Sequence, residues 1–436
     1  MIKGLVILSL MTLGQVDGSS LGAAADGLTD AVVADAASDA GNVAEETVAA
    51  EETAVAAEDE KKRDYSAIVG KNGKIDLLFL TDLNGQLADL KCGSEQGSTY
   101  ANIIGAINSV RGNSLLIGAG NMNGRAPMAR FIMDKGAAGA QELASLLALA
   151  KFDYILPGAE DFYVPAEQFK NYTAAWKENN LPVAISNLDV AADAAYGKEL
   201  VAENGYTMLE QNGLKIAVIG LNSDDFIKGA NRDNLKGITL KDYNEVAKKA
   251  ATQAKDEGAD FVIAVVKVDD SASAPAHAVG VASAAADVDV VLAAGYQTGK
   301  EAFAYRIEMN KAAAPVFAAP ANAAGINKIS IELKGTAEGW KIARADSNLI
   351  ATADAAADST VSAALDANVK AYCEEMTKPI GKGVIDGEMS ADQFGNLLAQ
   401  SARHATKSDV MIVDSNMVNA DAFPIKGQIS DDTLFA

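Results

Sequence analysis

An extended apolar run at residues 75–80 ends in a carboxylate, an amide and a glycine, Asp82, Asn84 and Gly85, within KIDLLFLTDLNG at 74–85. Side chains at the carboxyl end of a buried strand point into the crevice between flanking loops, where α/β proteins present their chemistry. Other chemical signals are sparse. GAGNMNG at 118–124 lacks the spacing and the lysine of a phosphate-binding loop, and its glycines read as a tight turn. The chain has two histidines, His277 and His404, and two cysteines, Cys92 and Cys373. Neither cysteine has a histidine partner nearby in sequence, which removes support for a cysteine nucleophile. The two cysteines could form one bridge in an exported protein, although sequence does not fix the pairing. The triplet Asn171-Tyr172-Thr173 has the pattern of a glycosylation acceptor.

The elements that position these residues are bounded by composition. A chain of 436 residues, 49% hydrophobic and 22% charged, has room for two or three globular domains. Its formal net charge of −22 repels nucleic acid and anionic lipid, so no nucleic-acid partner is expected. Lys3 precedes a ten-residue apolar run at 5–14 and then small and polar residues, the layout of a secretory signal at 1–22. No other segment approaches the length of a membrane-spanning helix, so the expectation is an exported protein, periplasmic or extracellular, without a transmembrane anchor. Residues 23–71 form an acidic, alanine-rich arm whose composition cannot bury enough surface to order itself. The KKR at 61–63 is a processing site or the end of that arm.

Past Tyr65, apolar runs recur at 75–81, 114–118, 153–157, 182–186, 214–221, 260–268 and 288–295, with amphipathic stretches at 100–111, 128–151, 166–178 and 244–257 between them. Strand followed by helix, several times over, predicts an α/β domain with helices outside a largely parallel sheet. Runs at 315–319, 327–334 and 339–344 predict an antiparallel closing portion. Asp358, Ser359 or Thr360 could cap a helix over about 361–376.

The order of strand-end motifs resembles the 5′-nucleotidase branch of the calcineurin-like metallophosphatases. TDLNG at 81–85 is similar to the family's first strand end, and Gly97-Ser98 weakly to its glycine pair. LLIGAGN puts Asn121 at the metal-bridging aspartate position, and GAEDF at 158–162 puts Ala159 for an asparagine ligand and Glu160 for the catalytic histidine. Residues 180–189 and 213–221 resemble the next two segments. VVKV puts Lys267, and LAAGYQT puts Gly295 and Gln297, where metal-binding histidines are expected. The resemblance implies an α-β-β-α sandwich over 72–349, a linker helix within 350–380 and a partial α+β C-terminal domain at 381–436. Within that last stretch, 393–407 is similar to a first helix, 408–423 to a strand and loop, and 426–436 to a turn and helix start; the family's domain continues further.

Departures from the family pattern fall on the chemistry. Two-metal phosphoester hydrolysis needs a bridging carboxylate and several neutral imidazoles. Of the ligands that the resemblance implies, Asp82 remains, with Asn84 an accepted variant, and neither histidine occupies a motif position. The expectation is a pseudoenzyme with no catalytic or metal-ligating residues, its vestigial positions being Asp82, Asn84, Asn121, Ala159, Glu160, Lys267, Gly295 and Gln297. No cofactor is implied. Asp82, Asn84, Asn121, Glu160 and Asp161 could offer oxygens to Ca²⁺; the competing reading is a satisfied polar cluster in which Lys267 pairs with Asp82 or Glu160 and replaces the metal's charge. Stretch 381–436 is too short for an independent two-layer core, and an open strand edge is a template for pairing between subunits. The expected function is therefore a non-catalytic, self-associating structural protein, or one binding other surface proteins. The alternative is a degenerate metallophosphoesterase, or a nucleotide or small-ligand binder using the crevice.

Overall fold

A computed structural model describes residues 63–88, 92, 99–124, 126–195, 197–268, 274–295, 306–307, 314–412 and 425–430. They fall into two compact units, one from Arg63 to Glu388 together with the strand at 425–430, the other beginning at Met389. The strands and helices, in chain order, are β1 Asn72–Thr81, α1 Thr99–Val110, β2 Leu115–Gly120, α2 Pro127–Met133, α3 Ala137–Ala148, β3 Tyr154–Pro157, α4 Ala166–Glu178, β4 Leu188–Val190, β5 Thr207–Gln211, β6 Leu214–Asn222, α5 Phe226–Gly229, β7 Ile238–Leu240, α6 Tyr243–Asp256, β8 Phe261–Lys267, α7 Ala274–Ala284, β9 Val290–Ala294, β10 Arg306–Ile307, β11 Val316–Ala318, β12 Gly325–Thr336, β13 Gly339–Ala351, α8 Ser359–Met376, β14 Pro379–Met389, α9 Ala391–Thr406 and β15 Ile425–Ser430.

Two sheets carry the first unit. One has the order β13-β12-β1-β2-β3, parallel from β1 to β3 and closed by antiparallel β12 and β13. The other runs β10-β11-β9-β8-β6-β5, parallel except at its two ends. Central strands are covered on both faces, which is why β1, β6 and β8 read as unbroken apolar runs rather than alternating ones. Alternation survives in which core each residue enters. Ile216 and Val218 join a cluster containing Leu77, Ile117 and Ile155 of the other sheet, whereas Ala217 and Ile219 face α6 and α7. Sheets therefore pack face to face. α6 lies close on its sheet through Ala247, Ala250, Ala251 and Ala254, and Asp242 caps it by accepting from the Glu245 N–H at 2.8 Å.

Several expectations are corrected. The helical stretch at 128–151 is two helices, α2 and α3, because Gly136 takes φ +70° between them. Residues 182–186 form isolated bridges instead of a strand: their backbone bonds go to Ile155, Leu200 and Gly220 in turn, three neighbours that cannot make one ladder. The arm expected through residue 71 stops short of Arg63: Arg63 donates to the Ala259 carbonyl and to Asp260, and Gly70 N–H bonds Gly335, so 63–71 belong to the first unit. Of the stretch 426–436, expected to turn and start a helix, residues 426–430 lie in β15, which pairs with β14, and 431–436 lie outside the described residues. Residues 408–412 carry no strand. The glycosylation triplet lies on α4, with Asn171 half-buried and Tyr172 and Thr173 buried. The signal and the arm up to residue 62, Gly97-Ser98, Gln297 and the expected strand and loop at 413–423 lie outside the described residues.

Candidate functional site

Parallel strands in one register end at one level, and the polar residues gather there. Thr81 lies opposite Ala119, Gly120 opposite Pro157, Asn222 opposite Lys267, and Lys267 opposite Ala294. Beyond β1 the chain turns through left-handed backbone, φ +49° at Asp82, +53° at Asn84 and +68° at Gly85. Aspartate and asparagine tolerate that region better than other side-chain-bearing residues. The turn is held against the end of β2 and the loop after it by bonds from Asp82 N–H to Ala119, Asn84 N–H to Asn121 and Gly85 N–H to Met122.

The Asp82 carboxylate is buried and meets a buried ammonium, Lys267 at the end of β8, with Oδ1 3.0 Å from Nζ. The same Nζ donates to the Val268 carbonyl at 3.2 Å. Asn121 donates to Asp82 Oδ1 from its backbone and its side chain, at 3.3 and 3.4 Å, while its own Oδ1 accepts from the Glu160 N–H at 3.0 Å. Glu160 lies half-buried on a short turn whose first residue, Ala159, offers no donor or acceptor side chain. Asn84 turns its Nδ2 to Asn322 Oδ1 at 2.6 Å. Gly295 follows β9 at φ +95°. The structure thus brings Asp82, Asn121, Lys267 and the Glu160 backbone into one network and turns the Asn84 amide toward Asn322.

Asp161 has a different task from the oxygen donor considered above. Its fully buried carboxylate accepts backbone N–H groups from Met122 at 3.0 Å, Asn123 at 2.8 Å and Gly158 at 3.1 Å. It thereby joins the loops after β2 and β3. Burial pushes its pKa up to about 7 against the pull of those three N–H donors, and the neighbouring Glu160 charge adds to the rise. Two residues were missed. Asn222, the last residue of β6, donates to the Pro157 carbonyl at 3.2 Å and is held by Asn187, whose Oδ1 accepts its N–H at 3.0 Å. The run 214–222 ends in an amide as the run at 75–80 leads to a carboxylate, so the same strand-end rule locates Asn222. Asn187 has no such signal.

At and just beyond these strand ends, Asp82 Oδ2, Asn84 Oδ1, Asn222 Oδ1 and Ser223 Oγ are buried oxygens without a hydrogen-bond partner among the described residues. Among those residues no group of three or more histidine, cysteine, aspartate or glutamate side chains could hold a metal ion. His277 lies on α7 and bonds the Tyr243 hydroxyl through Nδ1 at 2.7 Å, and His404 is on α9. Cys92 and Cys373 are joined in a disulfide that ties the segment after the β1 loop to α8, across 281 residues of sequence. No helix among the described residues is long and apolar enough to cross a membrane.

No protein-family model matches the chain. A curated 5′-nucleotidase of Vibrio cholerae is 35% identical over 116 residues, 26% of this chain and 19% of that protein, so the match spans about a fifth of the relative's length. Among solved structures, the calcineurin-like phosphoesterase YfkN of Bacillus subtilis aligns with a TM-score of 0.58 at 18% identity, over 70% of this chain and 98% of that one. A putative 5′-nucleotidase of Staphylococcus aureus, in complex with alpha-ketoglutarate, aligns at 0.60 and 14% identity over 83% and 71%. The NAD nucleotidase of Haemophilus influenzae aligns at 0.57 and 15% over 83% and 73%. The chain has a mixed α/β fold of the 5′-nucleotidase-like, calcineurin-like phosphoesterase type.

Proposed function

We propose that this chain is a non-catalytic, exported scaffold protein that works by contact with copies of itself or with other surface proteins. The observation that carries the reading is the buried ion pair between Asp82 and Lys267. A two-metal centre needs several anionic or imidazole donors free to turn toward the ions. Here the donor set does not fit one. The Asp82 Oδ1 is engaged by the ammonium, Asn121 Oδ1 by the Glu160 N–H, and both Asp161 oxygens by backbone N–H groups. A divalent ion about 4 Å from the Lys267 ammonium would meet a repulsion of roughly 8 kcal/mol at an effective dielectric constant near 20.

Export is supported by the leader pattern at 1–22 and by the Cys92–Cys373 disulfide, since such bonds persist in oxidising compartments. Contact with other proteins is supported by Val410 and Ile412, large apolar side chains left 73% and 86% exposed after α9.

The test is an assay of purified protein with nucleoside monophosphates and nitrophenyl phosphate in Mg²⁺, Mn²⁺, Co²⁺, Zn²⁺ or Ca²⁺. Bound metal is counted in parallel, and the mass distribution is followed by light scattering with and without Ca²⁺. No turnover and ordered oligomers are expected. Hydrolysis with two metals bound per chain would refute the non-catalytic reading, and a strict monomer at high concentration would refute the self-associating one.

A further inference from the structure

We infer that Lys267 is the resident cation of a slot shaped for an alkylammonium group, and that this cation clamps the carboxyl ends of the two sheets together. The inference rests on the non-catalytic reading, because the ammonium takes the place a metal would need. Asp82 follows β1 in one sheet and Lys267 ends β8 in the other, so their 3.0 Å contact is a bond between sheets. The second acceptor, the Val268 carbonyl at 3.2 Å, fixes the direction of the ammonium.

The slot is built by omission of side chains. A Cβ on Gly120, at the end of β2, would lie 3.0 Å from Lys267 Cε and 2.3 Å from Asp82 Oδ1. One on Gly295, just past β9, would lie 3.2 Å from Lys267 Nζ and 1.7 Å from the Val268 carbonyl oxygen. Both glycines have positive φ, +92° and +95°, so neither site readily accepts another residue. The backbone around the lysine is tied in the same way: Ser223 N–H bonds the Lys267 carbonyl at 3.0 Å and Val268 N–H bonds Ala294 at 3.1 Å. Five strand ends, those of β1, β2, β6, β8 and β9, therefore converge on one residue, β6 through its backbone carbonyl.

The slot makes a prediction about small cations. Lys267→Ala deletes Cγ, Cδ, Cε and Nζ, the outline of n-propylammonium. The wild-type thermal midpoint is expected to be unmoved by chelator or by n-propylammonium. The variant should lose roughly 10 °C, since removing one member of a buried pair strands the other charge. Millimolar n-propylammonium should restore at least half of that loss, methylammonium and n-butylammonium less, and n-propanol none. Equal rescue by n-propanol would reduce the effect to cavity filling, and equal rescue by Ca²⁺ or Mn²⁺ would mean a site open to any cation; either overturns the inference, as does a variant as stable as wild type. If Lys267→Ala yields no folded protein, Lys267→Met and the double variant Asp82→Asn/Lys267→Met carry the test. The double variant must then be more stable than the single one. Turnover by wild-type protein would sink the non-catalytic reading and the inference built on it, whereas an inactive protein without rescue would sink the inference alone.

Discussion

Asp161 gives the fold a pH dependence whose sign and size can be worked out. Its carboxyl titrates near an ordinary 3.8 in the unfolded chain and near 7 in the folded one, because burial outweighs the three backbone N–H donors. Between about pH 4 and 7 the folded chain therefore holds a proton that the unfolded chain has released. Stability must fall as pH rises through that window and level off above it. At 1.36 kcal/mol per pH unit, the full loss is about 4 kcal/mol. The perturbation is Asp161→Asn, which keeps the volume and one acceptor oxygen but never ionises. Its amide nitrogen faces backbone N–H groups and lowers stability by an amount that does not vary with pH. Urea denaturation of both proteins from pH 4.5 to 8.5, plotted as the difference in unfolding free energy, isolates this group from every other carboxylate. Wild type should lose about 3–4 kcal/mol relative to the variant across the range. Parallel curves would refute the reasoning, since they would mean that the N–H donors hold Asp161 ionised throughout.

Two further outcomes follow from the α8 region. Removing the Cys92–Cys373 bond, by reduction or by Cys373→Ser, opens a closed loop of 281 residues and should lower stability by about 3–5 kcal/mol, read from the denaturant midpoint. Asp358→Ala removes the acceptor for the Thr360 and Val361 N–H groups at the start of α8 and should cost about 1–2 kcal/mol in the same measurement.

What could be read in advance depended on whether the physics was local. The run before Asp82 announces β1 because a strand buried on both faces needs continuous apolar residues, and Asp358 announces α8 because a cap acts within three residues. The order of strand ends likewise leads to the loops carrying Asp82, Asn121 and Glu160 and to Lys267 at the end of β8. Features set by distant partners were not legible. Which carboxylate Lys267 meets depends on how two sheets face each other, and 182–186 look like a strand until their bonds are seen to go to three neighbours. Asp161 offers an aspartate to the reader, yet its role as an acceptor joining two loops exists only once β2 and β3 are paired in register. The break at Gly136 lies within an amphipathic stretch that runs on either side of it, where one residue of positive φ decides the outcome.

The position of β1 at the middle of its sheet has a consequence for how the chain reaches its fold. One edge of β1 can meet β2 early, but the other waits for β12, whose Ser330 hydroxyl bonds Asp76 across 254 residues. At a synthesis rate of roughly 5–20 residues per second, that edge stays open for about 10–50 s. Pairings at such separation fold slowly, since the entropy of closing the loop is lost before the contacts form. Throughout the interval the chain carries an apolar strand with an unpaired edge, the kind of segment that associates with other chains unless something covers it. The strand made first among those described is thus among the last to be completed on both sides.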